Sequence, residues 1–359
     1  MSKNNENQGT VLVTGGTGFI GSAVVRYLLT KTAVRIINVD KMTYAASAQT
    51  LDALLELRPH RHVKLDICDQ EAVANIVTET EPDILIHLAA ESHVDRSIDG
   101  PRPFIDTNIV GTYILLETAY RYYCELDVTQ QKYFKFLHVS TDEVYGSLGK
   151  VGIFDENSPY RPSSPYAASK ASADHLVLAW GATYGLPAVI SNSTNNYGPW
   201  QFPEKLIPTV IFKAFDGVPI PLYGDGGNIR DWIHVDDHAS ALWQILNAGR
   251  IGERYNVGGG SERSNLDTVK TIRAHLDDLK PRSDGLPHQQ NIVFVEDRPG
   301  HDFRYALKTE KLSNELGWMP HRDFDTGVGE TVSWYINQED WWRRIITRSY
   351  DGHRQGLDR

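Results

Sequence analysis

TVLVTGGTGFIG, residues 10–21, is the stretch whose reading decides the fold. An uncharged run from Thr10 to Thr14 feeds a glycine cluster, and from Phe19 to Leu29 the apolar residues recur with helical spacing. A strand, a glycine turn and a helix in that order form a pyrophosphate cradle. Glycine allows the tight turn, lets the backbone approach the phosphates and lets the helix pack closely, while the helix N-terminus faces the anion. The spacing is GGxGxxG, so Gly15, Gly18 and Gly21, with Phe19 and Ile20 between them, are candidate cofactor contacts. Turns and caps also use glycine; the weight here comes from the strand before and the helix after.

Working outward, Val34 to Val39 reads as a second buried strand, which makes a βαβ unit. Asp40 ends it, nineteen residues after Gly21. A carboxylate there binds both hydroxyls of an adenosine ribose and repels a 2′-phosphate, which selects NAD over NADP. Lys41 and Thr43 follow in the same turn. The alternation continues with strands at His62–Leu65, Ile84–Ala89, Lys135–Ser140 and Ala188–Asn192, and helices near Gln70–Thr78, Asn108–Tyr122 and Pro165–Tyr184. Such alternation predicts an α/β fold, a doubly wound parallel (Rossmann) sheet, with a smaller α/β substrate-binding lobe. Asp66 and Ile67, and Leu88, Ala89, Ala90 and Ser92, stand at later strand ends and would line the adenine and nicotinamide path.

After Asn195 the texture changes. Residues 195–231 are rich in Pro, Gly, Asn and aromatics, which predicts irregular structure over the carboxyl ends of the strands. Residues 326–346 read as a helical tail with Trp334, Trp341 and Trp342. The expected division is an NAD-binding domain over 1–194, to which some later segments return, a sugar-nucleotide lobe mainly over 195–346, and a tail over 347–359.

The bulk numbers narrow the function. The 359 residues are 41% hydrophobic and 23% charged, as in an ordinary globular protein. A net charge of −10 argues against non-specific nucleic-acid or membrane-surface binding, which needs a basic patch. Two cysteines, Cys68 and Cys124, make no disulfide framework and no metal spacing, and thirteen histidines include no HExxH pair, so no metal is expected. A polar N-terminus and the lack of any apolar run near roughly 18 residues predict a cytoplasmic protein.

Tyr166 and Lys170 lie four apart on a helix that begins after Ser163-Ser164-Pro165, with a serine cap and a proline in the first turn. That spacing puts both on one face. A phenol of reference pKa about 10 is a poor base at neutral pH, but a nearby ammonium and an oxidised nicotinamide favour phenolate. YxxxK is common by chance; its weight comes from following a strand that ends in Ser140-Thr141 in a chain with this glycine loop.

Here the sequence resembles the extended short-chain dehydrogenase/reductase family, and within it the dTDP-glucose 4,6-dehydratases. The resemblance runs through HLAAESHVDRS (87–97), STDEVYG (140–146), SPYAASK (164–170), NNYGPWQFPEKLIP (195–208), GNIRDWIHVDDHA (227–239) and DRPGHDFRYA (297–306) to Gly317-Trp318. Its most specific piece is Thr141-Asp142-Glu143, because epimerases of the family usually lack the carboxylate pair. The resemblance implies that Glu143 takes the carbon-5 proton of a hexose, Asp142 protonates the departing 6-hydroxyl, Tyr166 takes the 4-hydroxyl proton and Thr141 holds that hydroxyl. It further implies cofactor contacts at Thr107 and Asn196, and substrate contacts at Ser92, Asn195, Lys205, Leu206, Pro221, Tyr223, Arg230, Asn265, Asp297, Arg298 and His301. Arg230 and Arg298 would meet a pyrophosphate with their guanidinium forks. Trp200 and Phe303 depart from the family pattern. Tyr113, Tyr120, Tyr122 and Tyr123 read as a core or interface stripe, and the family pairs this helix with that of a second subunit, which implies a homodimer.

Overall fold

The structure, a computed structural model, describes residues 9–348 apart from 47, 59, 283, 289–291 and 298–299. Twelve strands are described: β1 Thr10–Thr14, β2 Arg35–Asp40, β3 Arg61–Lys64, β4 Ile84–His87, β5 Lys135–Thr141, β6 Ala188–Ser193, β7 Asn195–Tyr197, β8 Ile220–Tyr223, β9 Ile229–His234, β10 Arg254–Val257, β11 Glu262–Ser264 and β12 Ile292–Val295. Seven of them form one parallel sheet in the order β10-β6-β5-β4-β1-β2-β3. The order reverses between β1 and β4, and a ligand crevice opens beyond the carboxyl ends of strands at such a switch point.

Both faces of this sheet are covered, which is why β1 and β6 are buried along their whole length. Alternate residues of β1 serve opposite layers. Val11 and Val13 join one core with Val25 and Leu28 of the helix Phe19–Lys31 and Leu242 and Ile245 of the helix Val235–Ala248. Leu12 joins the other, with Val77, Leu115, Phe136 and Val177. Each such buried aliphatic side chain contributes about 1.5–3 kcal/mol by leaving water.

The chain leaves the large sheet after β6 and returns with the helix Val235–Ala248 and β10, so later segments do build the first layer. The rest surrounds a separate core of Ile207, Ile211, Trp232, Val269, Ile272, Val328, Val332 and Trp342. Here the structure differs from the irregular texture expected over 195–231. LIPTVIFKAF forms a helix, Leu206–Phe215, because its apolar residues face that core and Pro208 falls in the first turn, where its missing N–H costs nothing. The C-terminal tail is two helices, Phe324–Asn337 and Glu339–Arg348, rather than one. Trp200, the unusual aromatic, packs its ring at 5.0 Å from Trp334 and 5.3 Å from Trp341. Its size is therefore matched by the tail tryptophans.

The helix expected from Asn108 has a wider, π-type turn over Ile105–Gly111 before its regular part, Thr112–Glu125. Such turns concentrate at functional sites. Here it aims Asn108 at the crevice wall: its amide donates to Glu91 O and Ser169 Oγ and accepts from Glu91 N. Among the described residues no helix is long and apolar enough to cross a membrane.

Candidate active site

One cleft runs along the carboxyl edge of the large sheet, from the glycine turn to the end of β5. Gly15 has φ +74°, and a Cβ there would lie 2.6 Å from Ala89 N; one on Gly21 would lie 2.0 Å from Gly15 O. Only glycine permits this close approach of turn, helix and β4. Gly15 N donates to Val39 O at 2.8 Å, which fixes the turn beside β2. Asp40 is held by N–H donors from Thr17 at 3.0 Å and Met42 at 2.7 Å, one to each carboxylate oxygen, and each oxygen retains a lone pair for a ribose hydroxyl. Lys41 pairs with Asp66 at 2.6 Å across the ends of β2 and β3.

At the other end, β5 delivers Thr141 into a 3-10 turn, Asp142–Tyr145. Thr141 Oγ1 accepts from Glu143 N at 3.3 Å and donates to Asp142 Oδ1 at 3.3 Å. The helix Pro165–Tyr184 begins as its sequence requires: Ser164 Oγ accepts from Ala167 N at 3.1 Å, a cap whose loss would cost about 1 kcal/mol. Tyr166 N donates to Ser97 Oγ at 3.2 Å, which pins the first turn over the cleft. Tyr166 and Lys170 are both buried and both line the cleft.

Burial sets the proton positions. It raises the Tyr166 phenol well above its usual range, and the Glu143 carboxylate adds to this, while a hydrogen bond with Thr141 opposes it. Burial pulls Lys170 down to about 8, opposed by the Asp174 carboxylate. Burial, then the adjoining Glu143, pushes Asp142 well above the carboxylate range despite Arg230 nearby. Both effects favour the protonated form of Asp142, the form with a proton to give.

The cleft brings together every candidate from Gly15 to Asn196: Gly18, Phe19, Ile20, Gly21, Asp40, Lys41, Thr43, Asp66, Ile67, Leu88, Ala89, Ala90, Ser92, Thr107, Thr141, Asp142, Glu143, Tyr166, Lys170 and Asn195, with Lys205 beyond. It does not include Leu206, Pro221, Tyr223, Arg230, Asn265, Asp297 or His301. Pro221 and Tyr223 stand on β8, Arg230 on β9, and Asn265 opens the helix Asn265–Leu279, all in the second lobe. Arg298 lies outside the described residues. Four of the second-lobe candidates are already engaged, Asp297 and His301 with each other at 2.5 Å. Arg230 donates to the carbonyls of Ile229 at 2.7 Å and Asp302 at 2.9 Å, with its guanidinium 4.5 Å from the Tyr305 ring centre. Tyr223 donates to Asp95 at 3.1 Å.

Sequence reasoning passed over Ser140, Thr194, Gln201 and Glu204, which also line the cleft. Ser140 Oγ, Asp142 Oδ2, Thr194 Oγ1 and Gln201 Oε1 are buried without a hydrogen-bond partner among the described residues. Buried polar atoms are rarely left so. A polar ligand with hydroxyl and amide groups satisfies them, and the glycine cradle with Asp40 fits a dinucleotide.

The family model described as GDP-mannose 4,6 dehydratase matches residues 12–331. A probable dTDP-glucose 4,6-dehydratase of Sinorhizobium fredii is 54% identical over 97% of this chain and 98% of its own length. A dTDP-glucose 4,6-dehydratase of Escherichia coli is 51% identical over 97% and 99%. The solved structure of a dTDP-glucose 4,6-dehydratase from Bacillus anthracis in complex with NAD superposes with TM-score 0.83 at 42% identity, covering 94% of this chain and 99% of that one.

Proposed function

The chain belongs to the GDP-mannose 4,6 dehydratase family of extended short-chain dehydrogenase/reductases, and from that premise we infer that it is an NAD-dependent hydro-lyase that converts dTDP-glucose to dTDP-4-keto-6-deoxyglucose and water. The observation that carries this reading is the pair Asp142-Glu143, set by the 3-10 turn beside the oxidation residues Thr141, Tyr166 and Lys170. Oxidation alone needs one proton acceptor. Elimination of water needs a second base and an acid, and the pair supplies both.

NAD, cradled by Gly15 to Gly21 and Asp40, supplies the hydride acceptor for carbon 4 and returns the hydride to carbon 6. Tyr166, which burial otherwise keeps a phenol, takes the 4-hydroxyl proton where the Lys170 ammonium and an oxidised nicotinamide offset that burial, and Thr141 holds that hydroxyl. The ketone acidifies carbon 5, whose proton Glu143 removes and gives back to carbon 5 when the hydride reaches carbon 6. Asp142, whose protonated form is favoured by burial and by the adjoining Glu143, protonates the 6-hydroxyl as it leaves. Ser92, Asn195 and Lys205 line the sugar end of the cleft, and the second-lobe residues Leu206, Pro221, Tyr223, Arg230, Asn265, Asp297, Arg298 and His301 bind the nucleotide diphosphate, with residues 195–346 serving mainly as the lobe that recognises it.

Purified protein incubated with dTDP-glucose, and separately with UDP-glucose, should yield a 4-keto-6-deoxy sugar, read by its alkali-induced absorbance, with dTDP-glucose preferred. Wild-type enzyme should need no second redox substrate. A 4-epimer as product, or equal turnover of both nucleotides, contradicts the reading.

A homodimer and a cytoplasmic setting belong to the same proposal. The helices Thr112–Glu125 and Pro165–Tyr184 lie side by side and leave Tyr113 and Tyr184 half exposed, next to Trp180. Exposed aromatics on adjoining helices fit a two-fold contact with the same face of a second copy. Sedimentation should give the mass of two chains, and Tyr113→Glu should shift it toward one. Cys68 and Cys124 are free thiols, as a reducing compartment allows.

A further inference from the structure

Tyr166, Lys170 and Asp174 recur every fourth residue and so share one face of the helix Pro165–Tyr184. Asp174 is fully buried, a costly place for a carboxylate without compensating charge. It lies behind the lysine, not in the cleft. The His138 imidazole, on β5, is wedged between them: its Nε2 is 3.4 Å from Lys170 Nζ and 3.2 Å from Asp174 Oδ1. Lys170 Nζ also donates to Val139 O at 2.9 Å. Asp174 Oδ2 accepts from Tyr160 Oη at 2.7 Å and from Asn192 Nδ2 at 3.1 Å.

We propose that Asp174 is the buried counter-ion of Lys170, a positioning residue that keeps the lysine an ammonium so that the remaining proton deficit falls on Tyr166. The inference rests on Tyr166 and Lys170 being the oxidation pair of the proposed function.

The groups facing Lys170 leave no other anion for this task on its inner side. From its own helix come Tyr166 and Asp174. From β5 comes His138, whose burial holds it down to about 4, hence neutral. From β4 comes His87, its ring 5.1 Å from that of His138, which burial holds well below its usual range; its nitrogens meet Thr14 and Thr112 hydroxyls. From β6 comes the uncharged Asn192. On β10 Arg254 covers the Tyr160 ring and lies beyond Asp174. Asp142 and Glu143 lie on the Tyr166 side of the pair. For Asp174 itself, burial works to raise its pKa, but the neighbouring His138 ring, the Lys170 charge and the Tyr160 hydrogen bond together hold it below the carboxylate range, which favours the anion.

The shared His138 nitrogen explains why the pair is bridged rather than direct. With its proton on Nδ1 the imidazole accepts from Lys170 at Nε2, and the 3.2 Å approach of the same nitrogen to Asp174 Oδ1 is a close contact rather than a hydrogen bond. The ring stays neutral, and the two opposite charges lie on either side of it. The arrangement favours Lys-ammonium with Tyr-phenolate over Lys-amine with Tyr-phenol, because Asp174 is nearer the lysine than the tyrosine.

The test is the pH profile of turnover with dTDP-glucose. Its acid limb reports the first proton lost by the coupled Tyr166–Lys170 pair. Asp174→Asn removes a negative charge near a group that loses a positive one, so the limb should move down by about 1 pH unit or more. The plateau should fall as well, since the unproductive phenol–amine form gains. Tyr160→Phe loosens the same carboxylate but keeps its charge; the limb should stay or rise, with less than about tenfold loss of plateau rate. A purely structural role for Asp174 predicts a lower plateau in both variants with no movement of the limb. An unmoved or rising limb in Asp174→Asn overturns the proposal, and so does a falling limb in Tyr160→Phe, which decides the matter even where Asp174→Asn does not fold. Wild-type enzyme that makes no 4-keto-6-deoxy sugar would instead overturn the proposed function, a separate outcome.

Discussion

Glu143→Gln enzyme mixed with dTDP-glucose is expected to accumulate bound reduced nicotinamide, seen by its near-ultraviolet absorbance, and to release product about 10²–10⁴ times more slowly than wild type. Glutamine keeps the shape of the side chain and the backbone hydrogen bond from its own N–H to Thr141, so the turn that holds Asp142 survives. What is lost, on the proposed mechanism, is the base for carbon 5. Oxidation at carbon 4 needs only Tyr166, Lys170 and Thr141, and it proceeds; elimination then stalls. A companion measurement follows the hydride. Substrate carrying deuterium at carbon 4 should deliver it to carbon 6 in the wild type, because the carbon 4 hydride is returned within one turnover. Loss of the label to solvent, or normal product release by the variant, would remove Glu143 from this role.

Tyr166→Phe should cut turnover by a similar or larger factor but leave no reduced nicotinamide behind, because the block comes one step earlier. Phenylalanine fills the same buried space against Phe104, and the Thr141 hydroxyl keeps its contacts with Asp142 and Glu143 N. The fold and cofactor binding should therefore persist, checked by the melting temperature and by the NAD retained after gel filtration. The two variants together order the chemistry: reduced cofactor builds up when elimination is blocked and is absent when oxidation is blocked. Reduced cofactor accumulating in Tyr166→Phe would mean that another group accepts the 4-hydroxyl proton.

Much of this site was legible in the chain because its parts are local. A strand, a glycine turn and a helix within twelve residues specify the dinucleotide cradle, since backbone geometry alone requires glycine at Gly15 and Gly21. Asp40 follows from strand length, and Tyr166 with Lys170 from the pitch of one helix. The helix Leu206–Phe215 was missed for an equally physical reason. Its neighbours are rich in proline, glycine and aromatics, and its helical state depends on a core assembled from residues 206–215, 265–279 and 324–348, which no local window contains.

What tertiary structure alone decided is where charge is tolerated. Asp142 and Glu143 are adjacent and chemically alike, and nothing in their order says which carries the proton. Depth favours the proton on Asp142, because that side chain is buried and its ionised form loses solvation. Arg230, placed by its residue type at a pyrophosphate, spends two donors on the carbonyls of Ile229 and Asp302. Asp174 and His138 come from different elements and meet behind Lys170 only because β5 and the helix Pro165–Tyr184 pack together. Sequence by itself determined the parallel sheet and the glycine turn, since those rest on spacing along the chain, while the roles proposed for Thr141, Asp142 and Glu143 rest on resemblance. The structure determined their protonation and their neighbours, since desolvation and Coulomb energy depend on distances between residues far apart in that chain.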